Sequence, residues 1–435
     1  MNTHIISTGK TGSRFDDRKC GSTPNLLESI LQTQWEVVMF RLLVVVVLFL
    51  GTEIAMAQEK EPTPVRQNPN IDRPLSNEGT TSPLVDALQK LVAVYGPIAY
   101  SNDRPNPYTR IEPWGEAPPG NNGEWGAVTG AEGGPEGVLY VLHRCQSNSC
   151  VDRSEAPLVI LDTGTGKRLG TFGEGLMAFP HGIHVDFEGN VWTTDTGKGD
   201  APGGHLVRKF SPDGELLMTL GRPGLAGDAP DQFREPTDVV VARDGTLFVT
   251  EGHVKNGAHS RLSKLAPDGT LIARYGMTGQ GHLQLSAPHA IALDTKGRLF
   301  IADRDNNRIM IWDQDGNYID QWTQFGRPSG IYIDHTDTIY VADSESWGPE
   351  NPGWKKGIRI GSAMTGQVHY FLEDIEARDF AHSGAEAIGV DRRGNVYGGA
   401  VRRQMLERHE PQAEQTTLGA TWDTPVPAAG IERME

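Results

Sequence analysis

Residues 180–195 read PHGIHVDFEGNVWTTD, and the same design returns as PTDVVVARDGTLFVTE at 236–251, PHAIALDTKGRLFIAD at 288–303 and PSGIYIDHTDTIYVAD at 328–343. These four windows align without gaps. A fifth copy, AEAIGVDRRGNVYGGA at 385–400, keeps the apolar alternation and the glycine turn but lacks the leading proline and the final acid. A degenerate copy, VTGAEGGPEGVLYVLH, runs from 128 to 143. Each window is two short alternating stretches around an Asp-x-x-Gly or similar turn, the pattern of a β-hairpin. Two further strands follow most of them, at 206–210 with 215–220, 262–265 with 271–275 and 309–312 with 318–322, each pair joined by a Pro-Asp-Gly or Gln-Asp-Gly turn. The repeating unit is therefore a four-stranded antiparallel blade. Taking Thr129, His181, Thr237, His289, Ser329 and Glu386 as equivalent, the intervals are 52, 56, 52, 40 and 57 residues, one blade each.

A blade has two apolar faces and cannot cover both alone, whereas six blades in a ring cover one another. The sequence thus predicts an all-β fold, a six-bladed β-propeller over 108–411, closed by pairing of 108–114 with 405–409 of the last blade. The 52 glycines and 28 prolines, scattered through the chain, suit many short strands and exclude a helical bundle.

The rest of the chain divides by composition. Residues 1–57 form a leader: from Met39, the expected start of translation, Phe40-Arg41 precedes the apolar run 42–50 and Ala55-Met56-Ala57, the three parts of a secretory signal peptide. An apolar core of about ten residues is half of what a bilayer span requires, so no stable membrane insertion is expected. Residues 58–107 read as a Pro-rich linker with one short helix at 84–94, and 412–435 as a tail without fixed structure. The expected location is secreted or periplasmic. Cleavage at Ala57 removes Cys20 and leaves Cys145 and Cys150, spaced for a local disulfide in an oxidising compartment. With a net charge of −16 and no long Lys/Arg run, nucleic acid is a poor partner. A small-molecule or peptide substrate remains open, as does a protein or glycan partner.

The first strand of each blade lies innermost, so the residue just before it, at one end of the strand, sits at the channel mouth. Read in blade order, that position alternates between small hydroxyl residues (Thr129, Thr237, Ser329) and potential metal ligands (His181, His289, Glu386). Alternate blades lie about 120° apart in a six-fold ring, so two imidazoles and a carboxylate converge on the axis. That set suits a divalent metal, zinc first, with iron and manganese also compatible. The bland alternative is that Pro-His is only a favourable turn dipeptide. Asp195, Glu251, Asp303 and Asp343, which close the second strands, recur too regularly for one asymmetric site and read as structural. The loop 344–357, SESWGPENPGWKKG, is either a binding wall or a stiff connector. Arg144, at the end of the first blade's second strand, can hold a carboxylate in bidentate fashion.

Several of these pieces resemble one family: Leu142-His143-Arg144, Phe179-Pro180-His181-Gly182, FREPTD at 233–238, Ala287-Pro288-His289, and Ala302-Asp303-Arg304 with Asn307-Arg308-Ile309. Over 114–408 the chain resembles NHL-repeat propellers of the peptidyl-α-hydroxyglycine α-amidating lyase type, also called peptidylamidoglycolate lyases. The resemblance implies a lyase that splits the N–Cα bond of a C-terminal α-hydroxyglycine to a peptide amide and glyoxylate, with zinc on three channel histidines. His181 and His289 match two of those ligands, and Arg144 matches the active-site arginine. The third histidine is replaced by Glu386 and the acid after it by Ala387, while the family's tyrosine aligns with His253, which can move a proton. Two other functions stay open: a non-catalytic propeller that binds a peptide, glycan or protein through Trp347 and Trp354, and a lactonase-like hydrolase. Amino-terminal sequencing of exported protein is expected to begin at Gln58; a start upstream of Met39 would refute the leader assignment.

Overall fold

A computed structural model describes residues 101–120, 122–253 and 259–412. The leader, the helix expected at 84–94 and the tail from 413 onward lie outside these residues. Six four-stranded antiparallel sheets are present, with four single-turn 3-10 segments between strands. The first five blades run in chain order from the inside out. Blade 2, for example, is Pro180–Val185, Val191–Asp195, Leu206–Phe210 and Leu216–Leu220. The sixth is Ala385–Val390, Val396–Ala400 and Met405–Pro411, completed by Tyr108–Ile111 from the opposite end of the propeller.

The closing strand pairs with the last blade as expected, but over 108–111 against 408–411 rather than 108–114 against 405–409, with Tyr108 opposite Pro411 and Ile111 opposite Arg408. The strand stops short of Pro113, which has no N–H to offer a ladder. Trp114 still reaches back, its amide donating to the Leu406 carbonyl at 2.8 Å and its ring lying 5.0 Å from Tyr397.

The core explains why the ring must close. Six apolar clusters among the described residues each straddle two neighbouring blades. One joins blade 1 to blade 6 through Val128, Leu139, Val141, Ala387, Tyr397 and Leu406. Second strands are buried from end to end, as in Leu247–Glu251, whereas the outermost strand Leu271–Tyr275 is partly exposed. Replacing fully buried Trp312 would open a cavity costing about 3–5 kcal/mol.

The hairpin turns are built by their aspartates. Asp186 accepts from the amides of Glu188 and Asn190 at 3.0 and 2.9 Å, and Asp391 from those of Arg393 and Asn395 at 2.9 and 3.0 Å. Glycine fills the left-handed corner in most blades, while in blade 5 Asp337 adopts it at φ +61°. The second-strand acids are structural as read. Asp195 accepts from the amides of Ala178, Phe179 and Gly197, and Asp303 from Ser286, Asn306 and Arg308.

His143 ends the second strand of blade 1 (Val138–His143) with its Nε2 2.9 Å from the Ala156 carbonyl oxygen. Burial pushes this imidazole from 6.5 down to about 4, the hydrogen bond opposing the shift only in part. A folded-state value below the unfolded one means that the neutral ring favours folding above pH 6.5. That contribution, about 3 kcal/mol in full, is lost as pH falls toward 4. Denaturant unfolding of wild type and His143→Gln at pH 7 and pH 4.5 is expected to show a smaller acid loss in the variant. Parallel losses would refute the assignment.

Candidate metal centre

The channel-mouth residues are aimed by a shared irregularity. In five of the six blades the ladder between the first two strands slips at this point: after Val128, Pro180, Pro236, Pro288 and Ala385. The extra residue is Thr129, His181, Thr237, His289 or Glu386, accompanied by Gly182 and Ala290 in the two histidine blades. Such bulges bend a strand and re-aim a side chain, and here they turn it toward the axis. All six equivalent side chains, Ser329 included, are less than a tenth exposed.

The alternation of residue types has a physical reason. His181 Nδ1 lies 2.8 Å from the carbonyl oxygen of Thr237, and His289 Nδ1 lies 2.8 Å from that of Ser329. Each imidazole of an even blade is thus oriented by the backbone of the next odd blade, where a small side chain leaves room. A carbonyl can only accept, so Nδ1 carries the proton and Nε2 keeps its lone pair, as metal-binding histidines require. The two Nε2 atoms are 3.1 Å apart. Bare lone pairs at that distance repel, and a cation between them removes the repulsion. Both atoms can reach one ion through bonds of roughly 2.0–2.1 Å.

His253 brings a third imidazole. It follows the second strand of blade 3 by two residues, after Gly252 at φ +104°, and its ring centroid lies 4.7 Å from His181 and 5.4 Å from His289. One ring nitrogen from each of His181, His253 and His289 falls within 4.8 Å of the others. All three are held well below the usual imidazole range, first by burial and then by neighbouring charge, including Arg144 or Arg304 in every case. They are therefore neutral, which is the state that binds a metal.

Glu386 lies at the edge of this group, its Oε1 4.0 Å from His289 Nε2 and 3.5 Å from Arg144 Nη2. Burial raises its carboxyl, while Arg144 and Arg304 act against the shift. Arg144 is fixed from three sides: Nε donates to the Pro180 carbonyl at 3.0 Å, Nη1 to Asn148 at 3.3 Å, and the guanidinium lies 3.9 Å from the Phe179 ring centre. Asn148 belongs to the small loop closed by the Cys145–Cys150 disulfide. Burial pulls Arg144 down to about 10, so it stays charged at neutral pH.

Two contributors were not singled out from sequence as site residues. Arg304 directly follows the second strand of blade 4, as Arg144 follows that of blade 1, so the two arginines stand on opposite blades. Comparing the residue after each second strand across blades would have found it. Glu345, in the next blade's loop, lies 3.9 Å from Arg304 and 3.6 Å from Arg327. Arg144 Nη2, Glu386 Oε1 and Arg304 Nε are all buried without a hydrogen-bond partner. Buried polar atoms are normally satisfied, so the neighbouring Arg144 Nη2 and Glu386 Oε1, 3.5 Å apart, mark a place for a ligand. The loop 344–357 divides its roles: Trp354 lies under Arg359 at 4.8 Å, a connector, while Trp347 is exposed at the rim.

A family model for the NHL repeat matches residues 285–312, the first three strands of the fourth blade and the few residues before them. The model thus recognises one repeat of the six-bladed propeller. The chain is 38% identical over 132 residues to mouse NHL repeat-containing protein 3, covering 29% of this chain and 37% of that protein. It is also 28% identical over 213 residues to peptidyl-alpha-hydroxyglycine alpha-amidating lyase 2 of Drosophila melanogaster, covering 45% of this chain and 49% of that one. The matches span about half or less of these relatives' length. A gluconolactonase structure from Xanthomonas campestris aligns with TM-score 0.46 and 17% identity over 73% of this chain and 93% of its own. So slight a likeness carries no argument about substrate.

Proposed function

We propose that this NHL-repeat propeller is an exported, metal-dependent enzyme of the lyase type, similar to the peptidyl-α-hydroxyglycine α-amidating lyases and acting on a substrate that ends in a carboxylate. The observation that carries this reading is the convergence of three neutral imidazoles beside Arg144, Arg304 and a Glu386 carboxylate oxygen that accepts no hydrogen bond. Export is supported by the leader pattern and by the Cys145–Cys150 disulfide, which suits an oxidising compartment. No helix among the described residues is long and apolar enough to cross a membrane.

His181, His253 and His289 would hold a divalent ion, zinc being the best match to an all-imidazole set. Bound there, the ion would act as a Lewis acid on a substrate oxygen. The distances favour an exchange of the roles expected for His253 and Glu386. His253 joins the imidazole cluster, while Glu386 Oε1 stands free of hydrogen bonds beside Arg144. In an amidating-lyase reaction, Glu386 would take the proton of the α-hydroxyl group as the N–Cα bond breaks. The same proton passes to the leaving amide nitrogen, so that amide and glyoxylate form without a co-reactant. Arg144 and Arg304 would pair with the substrate carboxylate and hold the α-carbon, whose bond to nitrogen breaks, in place.

Metal analysis of purified protein is expected to find close to one equivalent of a divalent ion. His181→Ala and His253→Ala should lose it. Glu386→Gln should retain it while turnover of an α-hydroxyglycine peptide falls about 100-fold or more. If Glu386→Gln loses the ion and His253→Ala keeps it, the ligand set is His181, His289 and Glu386. A metal-free wild type would end the reading altogether.

A further inference from the structure

The rim above the metal centre carries an exposed aromatic pair that the site as described does not use. Trp347 and Phe380 are 37% and 59% exposed, their ring centres are 4.9 Å apart, and the planes are tilted by 45°. They come from different connections, Trp347 from the loop after the second strand of blade 5 and Phe380 from the link between blades 5 and 6. Large apolar side chains held together in water, with polar neighbours around them, mark a binding surface.

The pair is also held in place. Arg402 lies over the Phe380 ring at 4.9 Å and donates to the Phe380 carbonyl. Its own amide donates to Ser383 Oγ at 2.9 Å. Beneath, the buried Lys356 ammonium donates to the carbonyls of Asp379 and His382 at 2.8 and 2.7 Å, which pins the segment that presents Phe380. An aromatic surface fixed in this way loses little freedom when a ligand packs on it.

Its position relative to the site follows from its neighbours. Glu345, two residues before Trp347, reaches Arg304 and Arg327, and the hydroxyl of Ser344 lies 2.7 Å from that of Ser329, whose carbonyl orients His289. The aromatic pair is therefore tied to the site through Glu345, which precedes Trp347 by two residues and reaches Arg304. A peptide whose carboxylate sits between Arg144 and Arg304 advances about 3.3–3.6 Å per residue toward solvent. The side chain just before its C-terminal residue is the first to reach the rim.

We propose that Trp347 and Phe380 form a ledge that receives the side chain of the penultimate residue of a peptide substrate and selects for a large apolar one. This inference rests on the peptide-lyase reading and adds the feature of the peptide that is recognised.

The test uses the full exported chain loaded with zinc and titrated by calorimetry with two unreactive probes, N-acetyl-Phe-Gly and N-acetyl-Ala-Gly. Wild type is expected to prefer the Phe probe by about tenfold. Trp347→Ala and Phe380→Ala should each bring the ratio of affinities toward one, and Trp347→Phe should keep most of it, with zinc content and melting temperature unchanged as the check on folding. A Phe preference that survives both alanine substitutions, or a wild type that binds the two probes equally, would overturn the ledge and leave the lyase reading standing. Binding of neither probe by zinc-loaded wild type would overturn the ledge together with the peptide substrate.

Discussion

The antiparallel pairing of Tyr108–Ile111 with Arg408–Pro411 decides whether this molecule has a centre at all. A radial arrangement of sheets has no reason to hold a fixed diameter until its last interface is covered, and the blade 1–blade 6 cluster forms only when the two ends of the propeller share a sheet. Closure then sets the distance between strands that are far apart in sequence. His181 and His289 are separated by 108 positions, yet their Nε2 atoms stand 3.1 Å apart. No local interaction could specify that distance.

Within the closed ring, one local device is used repeatedly to different ends. The bulge near the start of the first strand turns one side chain toward the axis in almost every blade. Where the residue at that position is Thr237, or Ser329 in the one blade without a bulge, its carbonyl orients an imidazole of the preceding blade; where it is His181 or His289, the imidazole itself reaches the centre. Alternation between small and metal-capable residues is thus a packing requirement as well as a chemical one. Six ligand-sized side chains would not fit, and six small ones would leave nothing to bind an ion. The same economy holds at the second-strand ends, where Arg144 and Arg304 occupy opposite blades and the corresponding positions elsewhere are small.

Burial gives these groups their character. Removed from water, imidazoles are neutral and Glu386 holds its proton more tightly, while Arg144 keeps its charge because its ordinary value is so high. The outcome is a site with fixed positive charge at the mouth, uncharged nitrogen donors below and a carboxylate between them. Such an arrangement suits an anionic substrate end meeting a cation, and the disulfide loop that carries Asn148 helps to keep Arg144 in register.

Much of this was legible in the chain alone. Period-two hydrophobicity, turn residues at constant offsets and six copies at blade-sized intervals determine strands, blades and their number, because each is a local or repeating property. Equivalence between copies also pointed to His181, His289 and Glu386 as mouth residues, and the place of Arg144 at a strand end pointed to it. What the repeat could not supply was convergence by residues outside the aligned position. His253 lies two residues past a strand end and Arg304 one past another, and their approach to the axis depends on loop path and ring diameter. Which of His253 and Glu386 completes the group with the two repeat-equivalent imidazoles turns on the fine placement of side chains from different blades. Only the packed ring, in which every interface constrains every other, resolves a separation that small.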